Sequence, residues 1–124
     1  MPDRNASVVL VVDDEPDIRE SLAELLRDEG YEVWTAANGQ EALDLLRADG
    51  PRPALILLDL MMPVMSGTKF LEYLHKEHAD LRKIPIVVLT AAKNVEVYEA
   101  PTAGRINKPI DIDELFDWVK KYCG

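Results

Sequence analysis

Five side chains suited to handling a phosphoryl group stand where apolar runs of this sequence stop. Asp13 and Asp14 follow residues 7–12 (SVVLVV), Asp59 ends the run 54–58 (ALILL), Thr90 ends 84–89 (IPIVVL), and Lys108 follows 105–107 (RIN). Three carboxylates brought into one pocket repel by about 4 kcal/mol per close pair at an effective dielectric of about 20, so such a pocket needs cations. A hard divalent ion is the natural compensator, and Mg2+ takes one or two carboxylates, several waters and a phosphate oxygen. Lys108 supplies a further positive charge. A phosphoryl group on Asp59 would meet the ion on one side, the Lys108 ammonium on another and the Thr90 hydroxyl on a third. Phosphoryl transfer asks for little beyond such positioning and charge neutralisation.

The elements that must gather these residues are legible from periodicity. The runs 7–12, 54–58 and 84–89 are short and uncharged, as strands buried on both faces of a parallel sheet are. Residues 31–37 (YEVWTAA) alternate imperfectly and carry Glu32, which predicts a more exposed strand at a sheet edge, and 105–107 predicts a short fifth strand. Between them lie helical patterns. Pro16 opens a helix whose apolar positions include Ile18, Leu22, Leu25 and Leu26 and which ends at Gly30. Asn38 with Glu41 signs the start of a second helix bearing Ala42, Leu43 and Leu46. Ser66 and Gly67 open a third with Phe70, Leu71 and Leu74 inward. Asp111 with Glu114 resembles a capping box for a last helix, with Ile112, Leu115, Phe116 and Val119 expected on its inner face and Trp118 off that stripe. Strand and helix repeat five times, which predicts a doubly wound three-layer α/β fold of parallel strands joined by right-handed crossovers. The strand ends then share one edge, where ligands of open α/β sheets bind.

Composition narrows the function. The 124 residues suit one domain, with residues 1–6 as a candidate flexible tail. A net charge of −9 disfavours direct binding to nucleic acid or to anionic membrane. A lone cysteine, Cys123, an absent signal-peptide pattern and no membrane-length apolar run read as cytoplasmic. Met61, Met62 and Met65 suit gap filling beside hard oxygen ligands better than soft-metal binding, and His75 and His78 have no third ligand near them.

Taken singly, Asp13 and Asp14 read equally well as a turn and a helix cap. Taken together, the pair Asp13 and Asp14, LLDLMMPVMSG around Asp59, LTA at Thr90 and KPID at Lys108 form a set that resembles the receiver domain of two-component response regulators over essentially the whole chain. The resemblance implies a flavodoxin-like, five-stranded sheet in the order 2-1-3-4-5 and phosphorylation of Asp59 by a histidine kinase phosphohistidine or a phosphotransfer protein. It implies Mg2+ held by Asp14, Asp59 and the backbone carbonyl of Met61, with Asp13 acting through water. It also implies Thr90 and Lys108 on the phosphoryl group, a cis bond before Pro109, and output to a downstream protein by a monomer or weak dimer.

Two positions depart from the family pattern. The aromatic switch residue usual three positions before the lysine is Arg105 here, a cation that is far costlier to bury than a ring. Lys108 follows Thr90 by 18 positions, a span shorter than usual, which with Pro101 predicts a short or displaced fourth helix and an atypical output surface. Two other functions compete. A phosphatase of the haloacid dehalogenase type needs a second acid two positions after its nucleophile, where this chain has Met61. A receiver-shaped interaction module that is not switched by phosphate would fit Arg105 but leave the acid, threonine and lysine set without a purpose.

Overall fold

The computed structural model describes residues 8–47, 52–59, 67–77, 83–90 and 102–123. Its elements are β1 (Val8–Val12), α1 (Pro16–Asp28), β2 (Glu32–Ala36), α2 (Gly39–Arg47), β3 (Leu55–Asp59), α3 (Gly67–Glu77), β4 (Ile86–Thr90), β5 (Gly104–Asn107) and α4 (Ile112–Cys123). The strands form one parallel sheet in the order β2-β1-β3-β4-β5, the predicted topology. Residues 91–101, and with them the helix expected between the fourth and fifth strands, lie outside the described residues, as do Ser66, the candidate tail, the three methionines and His78.

Strand periodicity sorts the core into two layers. Leu10, Val12, Ile56, Leu58, Ile86 and Val88 face α2 and α3, where Phe70, Leu74 and Leu46 meet them. The alternate residues Val9, Val11, Leu55, Leu57, Val87 and Leu89 face α1 and α4, where Leu26, Leu115 and Val119 meet them. Because β1, β3 and β4 are buried on both faces, their sequences show continuous apolar runs and no alternation. Edge strand β2 keeps Glu32 exposed and buries Val33 and Ala36.

The helix ends follow their local chemistry. Pro16 occupies the first turn of α1, and the helix closes at Gly30 as its pattern predicts: Gly30, at φ 97°, donates to the carbonyl of Arg27 (3.0 Å), and Tyr31 donates to that of Leu26 (3.2 Å). Asn38 Oδ1 accepts from the Glu41 amide (2.9 Å) while Glu41 Oε1 accepts from the Ala37 amide (2.8 Å), so the predicted cap of α2 is reciprocal. Asp111 Oδ1 caps α4 through the amides of Asp113 (2.9 Å) and Glu114 (3.3 Å).

One residue of the expected inner face of α4 turns outward. Ile112, in the first turn of α4, is 40% exposed, whereas Leu115, Val119 and Cys123 on the same helix are buried. At the other end of the helix the Cys123 thiol is buried, and burial pushes its pKa up to about 11 from 9.0. The folded state therefore holds this proton more tightly than the unfolded chain. The contribution of this group to stability is fully present below about pH 9 and is lost as the pH rises to about 11. Tyr31 is raised as well, first by burial and then by the charges of Cys123 and Glu29, and acts in the same direction. Urea midpoints measured at about pH 8 and about pH 10 should differ more for the native chain than for Cys123→Ala; equal differences in the two proteins would disprove the assignment.

Candidate functional site

The sheet order places β1 beside β3, and the chain leaves β1 on one side toward β2 and returns on the other to form β3. Adjacent strands whose connections diverge leave a crevice at their carboxyl ends. Val12 pairs with Leu58, so continuing that register sets Asp13 alongside Asp59. Asp59 pairs in turn with Leu89, and Thr90 with Asn107, so the last residues of β3, β4 and β5 form one continuous edge. The Lys108 amide donates to the Thr90 carbonyl (2.9 Å), which carries the ladder one residue beyond β5, and the Lys108–Pro109 peptide is cis.

The five residues singled out in the sequence meet on this edge. Oxygens from Asp13, Asp14 and Asp59 lie within 4.8 Å of one another. Asp13 and Thr90 are wholly buried, Asp59 is 3% exposed, and Asp14 is partly open to solvent. Buried carboxylates require compensation. Asp13 Oδ1 accepts from the Glu15 amide (3.0 Å), and the Lys108 ammonium stands 3.4 Å from Asp13 Oδ2 and 3.6 Å from Asp59 Oδ2. Among the described residues this ammonium bridges two of the three acids, and the third, Asp14, lies on the pocket's open flank.

The donor set is all hard oxygen, which fits Mg2+ or Ca2+ and not a thiophilic metal. Opposite ligands on Mg2+ stand about 4.2 Å apart, so oxygens that all lie within 4.8 Å of one another are close enough to face one ion. The Met61 carbonyl, expected as a further ligand, lies outside the described residues. Arg105 is exposed on β5, in register with Val88, while its neighbour Ile106 is buried on the α1 and α4 side.

Two contacts have little or no signature in the residue pattern. Arg19, the sole cation among residues 13–20, donates from Nη1 to the Asp13 carbonyl (3.0 Å). Trp118, half-buried, lies against the backbone of Gly104 at the start of β5, and its ring stacks on that of Tyr122 with centroids 6.3 Å apart. The Lys121 ammonium sits 5.5 Å and 5.6 Å from the two ring centroids. The isolated cation was the only signal for the first; nothing in the spacing of residues 104 and 118 signals the second.

Among the described residues no helix is long and apolar enough to cross a membrane. A family model described as the response regulator receiver domain matches residues 9–120. The chain is 37% identical to sporulation initiation phosphotransferase F of Bacillus subtilis over 118 residues, covering 92% of this chain and 91% of that protein. It is 40% identical to response regulator Rre1 of Synechocystis over 112 residues, which is 86% of this chain but only 47% of the relative's length. Among solved structures, chemotaxis protein CheY4 of Vibrio cholerae superposes with a TM-score of 0.82 at 32% identity, covering 94% of this chain and 98% of that one. Response regulator TrrA of Thermotoga maritima, solved in complex with Mg2+ and BeF, superposes with a TM-score of 0.78 at 37% identity, over 94% and 98% of the two chains. Sheet order, acidic edge and family match over nearly the whole length agree, and the chain belongs to the receiver domain family of two-component response regulators.

Proposed function

We propose that this receiver domain accepts a phosphoryl group on Asp59 and uses it as a signal. The observation that carries this reading is the meeting of three acids within 4.8 Å with the Lys108 ammonium 3.4 Å and 3.6 Å from two of them, at the solvent edge of a parallel sheet. An Asp59 carboxylate oxygen attacks phosphorus, the bond from phosphorus to the donor's imidazole nitrogen breaks, and the imidazole leaves. Lys108 then exchanges a carboxylate partner for a phosphoryl oxygen, and the Thr90 hydroxyl donates to another. Asp14, Asp59 and the Met61 carbonyl would hold Mg2+ directly and Asp13 through water, and the bound ion would supply charge neutralisation at the transferring group. The donor is a phosphohistidine on a histidine kinase or phosphotransfer protein, the readout a downstream protein, and the acyl phosphate is lost slowly by hydrolysis without turnover of external substrates. These exchanges take place in the cytoplasm.

Incubation with Mg2+ and acetyl phosphate should add one phosphoryl group per chain, mapped to Asp59 by mass spectrometry, and Mg2+ with beryllofluoride should shift amide resonances around the pocket. An unmodified Asp59 and spectra indifferent to the metal would leave the second reading, an interaction module indifferent to phosphate, which the exposed cation at Arg105 favours. The same cation argues for an atypical output surface, so shifts should not spread through residues 95–106 as they do where an aromatic switch is present.

A further inference from the structure

The geometry points to Arg19 as a positioning residue that sets the acid pair for the cation, an inference that rests on the reading of the pocket given above. Asp13 is wholly buried, so its backbone and its carboxylate must both find partners within the protein. Its amide completes the ladder by donating to the Ala36 carbonyl (3.1 Å), and its Oδ1 takes the Glu15 amide (3.0 Å). Its carbonyl, one residue past the end of β1, accepts from Arg19 Nη1 at 3.0 Å. Arg19 is itself anchored, since its own amide donates to the Glu15 carbonyl (2.9 Å).

The chain from Asp13 to Arg19 is therefore closed on itself at both ends, and Asp14, the most open of the three acids, is carried on that closed turn. A guanidinium is suited to this place. It stays charged, so its bond to a carbonyl is charge-assisted, and its positive charge stands beside a pocket that Lys108 alone does not balance. Its other ionic contact, Nε to Glu20 Oε2 at 3.6 Å, does not account for its burial: the Arg19 side chain is 17% exposed and that of Glu20 61%, and pairs so open contribute little. Arg19 meets the pocket through the Asp13 carbonyl and not through a carboxylate. It acts through the turn, by holding Asp13 and Asp14 where an arriving ion needs no rearrangement.

The test is Mg2+ affinity of the folded full chain, measured by calorimetric titration of the native protein, Arg19→Met, Arg19→Lys and Glu20→Gln. Partners that orient metal ligands change affinity by about 10-fold or more when removed, so Arg19→Met should bind Mg2+ about 10-fold more weakly. Arg19→Lys, which keeps the charge without the planar fork, should fall between it and the native chain, and Glu20→Gln should match the native chain. If Arg19→Met folds poorly, the lysine variant alone decides, because native affinity in it overturns the inference. Native affinity in Arg19→Met overturns it equally. A native chain that binds no Mg2+ overturns the pocket reading itself, and this inference with it, a result distinct from loss of the Arg19 effect alone.

Discussion

Asp59→Asn is expected to take up no phosphoryl group from acetyl phosphate, a loss of at least roughly 1000-fold in labelling rate, because the covalent acceptor is gone while side-chain volume is kept. Mass spectrometry of the two proteins after equal incubation measures it, and undiminished labelling at another residue would refute the assignment. The same substitution should raise the stability of the metal-free protein by about 1 to 3 kcal/mol. Asp59 is 3% exposed and shares its pocket with Asp13 and Asp14, so neutralising it relieves the repulsion from both, which outweighs the loss of its ion pair with Lys108 at 3.6 Å. Added Mg2+ should then stabilise the native chain far more than the variant, since only binding to the folded state shifts the midpoint.

Gly104→Ala should destabilise the fold by about 2 kcal/mol and lower Tm by roughly 6 to 10 °C. The cause is space and not backbone conformation, since Gly104 does not have the positive φ seen at Gly30. A methyl at 104 would fall inside the van der Waals envelope of the Trp118 ring, overlapping Cη2 and Cζ2 and standing 3.1 Å from Cζ3. The indole cannot simply tilt away, because it lies nearly parallel to the Tyr122 ring, at 3°, and packs against the same core layer as Leu115 and Val119. Two residues in contact do not act additively. In a Trp118→Ala background the Gly104→Ala cost should largely vanish, and a cost that persists there would show that the strain lies elsewhere.

Most of this architecture was readable from residue order because its signals are local or periodic. The buried strands announce themselves as uncharged runs, since helices cover both faces, and the caps at Asn38 and Asp111 are formed by side chains three positions from their targets. The pocket was readable for a different reason: parallel topology converts strand ends into one edge, so Asp13, Asp59, Thr90 and Lys108 needed only their positions after four runs to be brought together. What escaped was contact whose partner is set by packing. Ile112 matches the helical stripe but stays exposed at the first turn, Arg19 bonds a backbone carbonyl that any residue would offer, and Trp118 finds Gly104 only after α4 has docked on β5.

That last contact gives the molecule an optical gauge. The chain has two tryptophans, and Trp34→Phe would leave Trp118 as the single emitting indole. It rests on the first residue of a four-residue strand whose far end hands over directly to Lys108. Its emission wavelength and quenching would therefore follow any sliding of that strand against the last helix, without a dye and without labelling chemistry.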